Sequence, residues 1–395
     1  MVIHFGQRHR IVSRITELAI VITILSFALA YVDTIWALYI DSFVKSAAIV
    51  GIVSGCFTAF SFLLFFVLIP YFERHSPSRT YLLSLIIYAI AYILFAINRN
   101  FYIFIAIALF QTIGSVLRRN SSGIIIRNMS TVKNIGKTES LIYNLSNIGW
   151  LIGPLVAGSL AEKAGINVVF VLAAIFVLMA TAMFIFMKLH IRVPKIEEVD
   201  KNILRNFKTF FKNKNLLKIY VVGGGVDLYW AVLYIYLPLY IIRNGLGDRW
   251  VGYFLFAIVS PLVILEYYVG KKVDESGYKK YFMIGYGCIA LIAMAAGLLT
   301  NVYWVMGLFV LASVPIAFLE PTTEAYFFKI IRKKDEAKYY GPYCTCSDVF
   351  STVGKIVIAG FLFFLPFKWV FFILAVEMLF FFFMSMSLKK VVHQI

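Results

Sequence analysis

Apolar residues in this chain come in blocks of roughly 18–27, and at ~1.5 Å rise per helical residue ~20 of them cross a ~30 Å hydrocarbon core. In lipid every backbone N–H and C=O needs an internal partner, which leaves helices or a closed barrel. Barrel strands alternate in polarity over ~10 residues, and these blocks do not alternate. The expectation is an all-α membrane protein with about twelve spans. The spans read as Glu17–Ile40, Val44–Ile69, Thr80–Ile97, Phe101–Arg127, Glu139–Ala161 and Asn167–Leu189. After a polar stretch come Leu216–Ile242, Trp250–Lys271, Tyr281–Leu299, Val302–Phe328, Gly341–Leu365 and Phe367–Leu388. The last two are separated only by a short turn at Pro366 and Lys368. The first block is a full span without a small-residue cleavage site, so it reads as a helix and not as a cleaved signal.

Charge agrees with this reading. Charged residues make up 14% of the chain, against about 25% in an ordinary soluble domain. A net charge of +17 would suggest nucleic acid in a soluble protein, but its distribution excludes that partner. Roughly 28 of the 37 Lys and Arg fall in one set of alternating loops and ends, about six in the opposite set, and three in spans. Such a bias places both termini on the cytoplasmic side of the cell membrane. Contact with anionic lipid headgroups is a secondary use of the same charge.

Other chemistry is sparse. The spacing of Cys56, Cys288, Cys344 and Cys346 builds neither a disulfide framework nor a zinc site. All five histidines, His4, His9, His75, His190 and His393, lie outside the spans, which argues against a buried relay or metal centre. No GxxxxGK[ST] loop occurs, and Gly223-Gly224-Gly225 sits inside a span without the lysine. No nucleophile–base constellation and no cofactor signature are present, so an enzyme is not expected.

The polar stretch divides the chain into a six-span bundle (1–189), a linker (190–215) and a second six-span bundle (216–395). In the linker Ile203, Phe207, Phe210 and Phe211 recur at helical spacing opposite Lys201, Arg205, Lys208 and Lys212, the pattern of an amphipathic helix at the inner membrane surface. Offsetting the chain against itself by about 201 residues brings the halves into register. Ala37-Leu38-Tyr39-Ile40 then lies over Pro238-Leu239-Tyr240-Ile241, Val50-Gly51 over Val251-Gly252, Glu73 over Asp274 and Arg79 over Lys280. One residue further on, Ala157-Gly158 meets Ala359-Gly360. Two parallel six-span repeats are the plan of one large transporter class.

Three segments resemble the major facilitator superfamily. Gly149-Trp150-Leu151-Ile152-Gly153-Pro154-Leu155-Val156-Ala157-Gly158 is similar to the family's Gly-Pro signature, common in exporters, with Ala157 replacing one glycine. Gly149 and Gly153 lie one turn apart and admit a neighbouring backbone, and Pro154 removes a donor and permits a bend. Gly270-Lys271-Lys272-Val273-Asp274-Glu275-Ser276-Gly277-Tyr278-Lys279-Lys280 resembles the family's cytoplasmic loop signature. In the family that loop helps latch the halves, and an acid such as Asp274 facing a helix N-terminus is worth about 0.3–1 kcal/mol. The first-half counterpart, Pro70–Arg79, keeps Glu73 and Arg79 but lacks both glycines. The run from Gly158 through Glu162, Gly165 and Phe170 resembles the family's junction between spans five and six.

The resemblance implies that spans one, four, seven and ten line a central cavity. Charges located by hydropathy alone concentrate there: Asp33, Arg118, Arg119, Asp227, Glu320 and Glu324. An ionised residue at a helix centre costs ~2.5–3.5 kcal/mol on insertion scales, so each is a candidate for function. Asp33 with Trp36 and Asp227 with Trp230 form acid–aromatic pairs at i,i+3. Either acid could load and release a proton as its surroundings alternate between wet and closed. Glu320 and Glu324, flanking Pro321, either bind a cation or protons or pair with Arg118, Arg119 or Lys355. Lys355 in span eleven faces the interface between halves or snorkels.

The expectation is a monomeric secondary transporter working by alternating access, exporting small organic molecules in exchange for protons. The alternatives are an importer of a sugar or organic anion, with Arg118, Arg119 and Lys355 as the anion site, and a non-transporting sensor or scaffold.

Overall fold

The computed structural model describes residues 3–129, 135–189 and 203–389. Among them the regular structure is helical, without strands. The helices are α1 (Ile3–Val44), α2 (Ala47–Arg74), α3 (Pro77–Ile97), α4 (Phe101–Met129), α5 (Ile135–Ala164), α6 (Ile166–Phe186) and α7 (Ile203–Lys212). They continue as α8 (Lys214–Arg243), α9 (Asp248–Ser276), α10 (Tyr278–Leu298), α11 (Val302–Ile330), α12 (Glu336–Leu362) and α13 (Trp369–Met386). All but α7 are long and apolar enough to cross a membrane, giving 12 candidate spans among the described residues. They coincide with the spans expected from hydropathy, with differences of a few residues at the ends.

The repeat register reappears in the coordinates. α3 and α10 start and stop at equivalent positions of the two repeats, as do α4 and α11. Local chemistry explains part of this. Asn100 accepts from the Tyr102 amide at 2.8 Å at the start of α4, and Asn301 accepts from the Tyr303 amide at 2.9 Å at the start of α11. Each side chain satisfies a backbone donor that the first helical turn leaves open. α3 begins with Pro77 after Ser76, a position where the missing N–H is harmless. Its equivalent, α10, begins after Gly277 at φ +89°, a conformation with little cost only for glycine.

The chain forms two compact units. The first comprises Met1–Tyr39, Phe60–Lys195 and Gly247–Phe256, and the second Ile40–Ala59, Ile196–Leu246 and Ala257–Ile395. The start of α2 thus belongs with the second unit and the start of α9 with the first.

In the first unit α3 packs on α4 and α6. Its aromatic centre is Tyr39, which meets Phe170 edge-on at 4.7 Å between ring centres and donates its hydroxyl to the Phe95 carbonyl at 3.0 Å. In the second unit the equivalent residue, Tyr240, meets Phe371 edge-on at 5.0 Å. Edge-to-face pairs of this kind contribute about 0.5–1.5 kcal/mol beyond burial. They matter more in lipid, where apolar surface alone does not drive helices together.

α7 lies in the stretch where an amphipathic helix is expected; Lys201 lies outside the described residues. Phe210 is buried against Tyr220 of α8 and Tyr339 of α12, with ring centres 5.9 and 6.1 Å away, while Phe211 on the same face stays exposed. Arg205, Lys208 and Lys212 are exposed on the other side. Asn213 then ends α7 and caps α8, accepting from the amides of Asn215 and Leu216.

Candidate functional site

The Gly-Pro segment of α5 uses its two faces differently, all within the first unit. A Cβ on Gly149 would stand 2.2 Å from Ser26 Oγ and 2.8 Å from the Phe27 nitrogen, and one on Gly153 would stand 2.6 Å from Ala30 Cβ. That face is pressed on α1, where Ser26 also donates to the Ser146 carbonyl at 2.9 Å. The other face meets the start of α9. A Cβ on Gly158 would lie 2.8 Å from the Gly252 backbone, and one on Gly252 would lie 2.3 Å from the Pro154 carbonyl oxygen. Arg249 closes this end on Glu162, through Nε to Oε1 at 3.0 Å and its backbone amide to Oε2 at 3.1 Å. The glycine spacing fits close backbone approach, and the coordinates supply the two partners it serves.

In the second unit the start of α2 meets α12 at the equivalent register. A Cβ on Gly51 would stand 2.0 Å from the Tyr236 hydroxyl and 2.9 Å from Ala359 Cβ. Tyr236 donates to the Lys355 carbonyl at 2.7 Å, and Lys355 Nζ donates to Thr58 Oγ1 of α2 at 2.9 Å. At the helix ends Arg243 pairs with Asp41 at 3.0 Å.

Gly270 and Asp274 lie in α9, and their side-chain surroundings fall outside the described residues. Gly277 makes the turn into α10, Lys279 Nζ donates to the Met386 carbonyl at the end of α13, and Lys280 is exposed.

The ionisable span residues fall into two groups. In the first unit Asp33 is exposed within a stretch of α1 that is otherwise mostly buried, from Tyr31 to Ile40. Trp36 packs against α3 and α4, 5.7 Å from both Phe95 and Phe104. Arg118 lies over the Tyr88 ring at 5.9 Å, and its Nε meets no hydrogen-bond partner among the described residues. Arg119 diverges from it and donates to Ser61 Oγ at 2.5 Å.

In the second unit Asp227 is half-buried; Cys346 Sγ approaches its Oδ2 at 3.8 Å, and Ser351 donates to its main-chain carbonyl at 3.3 Å. Trp230 packs with Tyr229 and Tyr234. Glu320 is half-buried, and its carbonyl accepts from Thr323 at 2.8 Å. Glu324, one turn on, accepts from the Tyr340 hydroxyl at 2.6 Å. Among the described residues no three His, Cys, Asp or Glu gather as metal ligands.

Sequence reasoning missed several of these partners. The spacing of Cys346 assigns it no role, and in the fold its Sγ approaches Asp227. Glu377 of α13 escaped notice although it is a lone acid in the middle of a span, the same signal that singled out Asp33 and Asp227.

Comparison with known proteins follows the same lines. The description Major Facilitator Superfamily matches residues 18–265 and 261–393. A staphylopine export protein of Staphylococcus aureus (strain Mu50) is 25% identical over 242 residues, covering 59% of this chain and 60% of that protein. An uncharacterized MFS-type transporter of Methanocaldococcus jannaschii is 25% identical over 181 residues, 44% of this chain and 46% of its own. The matches thus span about half to three-fifths of these relatives' lengths. In fold, a POT family transporter solved with a thioalcohol-conjugated peptide superposes with a TM-score of 0.79 at 12% identity, covering 93% of this chain and 94% of that one. The peptide transporter POT solved with sulfate gives 0.74 at 14% identity, covering 95% and 94%. Twelve membrane-length helices among the described residues, repeated in register and matched by one family over nearly the whole chain, make this a multi-pass membrane protein that belongs to the major facilitator superfamily.

Proposed function

We propose that this protein is a secondary transporter that works by alternating access and exports small organic molecules in exchange for protons, as a monomer in the cell membrane with both termini cytoplasmic. The observation that carries the reading is Asp33, an exposed acid within an otherwise mostly buried run of α1. Facing lipid, an ionised carboxylate would cost ~2.5–3.5 kcal/mol, so the space it opens to is read as wet. A carboxyl that meets water in one state and is shut off in another changes its proton affinity between them, which is the requirement for coupling. Asp227, approached by Cys346 Sγ, is the candidate acid of the second unit. The Gly-Pro segment and the relative named for staphylopine export favour the outward direction.

A second reading, uptake of an organic anion, is favoured by Arg118, whose Nε has an unmet donor beside Tyr88. A carboxylate or phosphate on the solute would satisfy it.

The test is flux into proteoliposomes across cationic, neutral and anionic solutes under an imposed pH gradient. Asp33→Asn is expected to reduce gradient-driven flux about tenfold or more, equivalent to ~1.4 kcal/mol or more on the barrier. Flux indifferent both to the gradient and to Asp33→Asn rules out proton exchange. Anion uptake that vanishes in Arg118→Gln would favour the second reading.

A further inference from the structure

Glu377 is the only charged residue in the eighteen-residue span α13, and it sits near the middle. Its Oε2 is buried and meets no hydrogen-bond partner among the described residues. An acid in that place is expensive as a carboxylate, and such residues in spans are retained where they do something.

Its neighbours define what that could be. α13 packs on α8, α10 and α12. The contacts of Phe371 with Tyr240 and of Phe381 with Tyr286 bracket Glu377 one to two turns on either side. The titratable groups on these helices around the contact include Tyr236 and Tyr240 of α8, whose rings meet Phe367, Tyr286 of α10, whose ring meets Phe381, and Lys355 of α12, whose carbonyl accepts from Tyr236. Lys355 directs its ammonium to Thr58 of α2 at 2.9 Å. Tyr286 donates to the Val222 carbonyl. α11 meets α13 through neutral rings, Phe309 on Phe371. The approaches of Tyr240 to Phe371 and of Gly225 to Phe381 bracket both residues, so Tyr236 of α8 and Glu377 of α13 lie on facing stretches of the two helices. Tyr236 is also the residue whose hydroxyl fills the space over Gly51 and ties down Lys355.

We propose that Glu377 is a proton-binding site of the second unit, and that its charge acts through Tyr236 on the contact between α2 and α12. Neutral, Glu377 leaves Tyr236 in place beneath Gly51. Ionised, it draws water and hydrogen-bond donors, the Tyr236 hydroxyl among them, and loosens the hold on α2. Tyr236 is thus a positioning residue, and the site does not depend on which solute crosses or in which direction.

Two readouts test this on the full chain in lipid nanodiscs. Dicyclohexylcarbodiimide, which reacts with protonated carboxyls in apolar surroundings, is expected to form an adduct on Glu377, mapped by mass spectrometry. The yield should fall about tenfold per pH unit once the acid ionises. The second readout is alkylation by N-ethylmaleimide of Cys56, exposed on α2 beside the contact, measured relative to Cys288 of α10 in the same sample. That ratio should rise several-fold with pH in the native protein and stay flat in Glu377→Gln. If the Gln variant is not recovered folded, Glu377→Met, of similar volume, replaces it. No adduct on Glu377 at any pH overturns the site. A Cys56 to Cys288 ratio that changes equally in native and variant protein overturns its coupling to α2.

Discussion

The start of α9 on α5 and the start of α2 on α12 occupy equivalent positions of the repeat, yet they are built from different chemistry. In the first unit Gly252 and Gly158 bring backbone against backbone, leaving no room for a side chain on either. In the second unit Gly51 faces Tyr236 and Ala359, and a hydroxyl and an ammonium do the joining. A contact made of backbone is set by shape alone. One made of a tyrosine and a lysine answers to neighbouring charge as well. One repeat therefore carries the steric version of a contact and the other a polar version that protonation nearby can tune.

The largest effect should follow from filling the steric contact. Gly252→Val places carbon within 2.3 Å of the Pro154 carbonyl. Overpacking of that kind costs typically 1–3 kcal/mol and often more when the obstacle is backbone, so loss of folded protein on size-exclusion chromatography is expected. Survival of Gly252→Val with native melting would break the contrast between the two contacts. The polar contact should be gentler. Tyr236→Phe keeps the ring and removes one hydrogen bond, costing about 0.5–1.5 kcal/mol in thermal stability. It should also flatten the pH response of Cys56, and a Gly252-sized loss would show the two contacts to be alike. Cap removal should be symmetric: Asn100→Ala and Asn301→Ala are each expected to cost about 1 kcal/mol, visible as faster amide exchange in the first turns of α4 and α11. The ion pairs come last. Arg249 and Arg243 are partly exposed, so Glu162→Gln or Asp41→Asn should cost about 0.2–1 kcal/mol, screened by salt in a melting series.

Much of the fold was legible before any coordinates. Hydropathy located twelve spans, and the offset between halves anticipated Tyr39 against Tyr240 and Gly51 against Gly252. The Gly-Pro segment announced close packing through its spacing. The partners were not legible. The i,i+3 spacing of Trp36 to Asp33 says nothing of Phe95 and Phe104, which its ring meets. Arg118 and Arg119 look like one basic site and point to Tyr88 and Ser61. Cys346 gave no sign of meeting Asp227, since the two are 119 residues apart.

By itself the sequence determined the length, polarity and repetition of the helices, because a bilayer imposes span length locally and each repeat obeys the same rule. Only the tertiary structure decided what each polar group inside a span touches. A helix turns neighbouring side chains by about 100° per residue, so partners are chosen by which helices pack face to face, and that depends on residues far away in the chain. Gly252 shows both halves of the lesson: its register was written in the repeat, and its need for bare backbone emerged only when α5 was found against it.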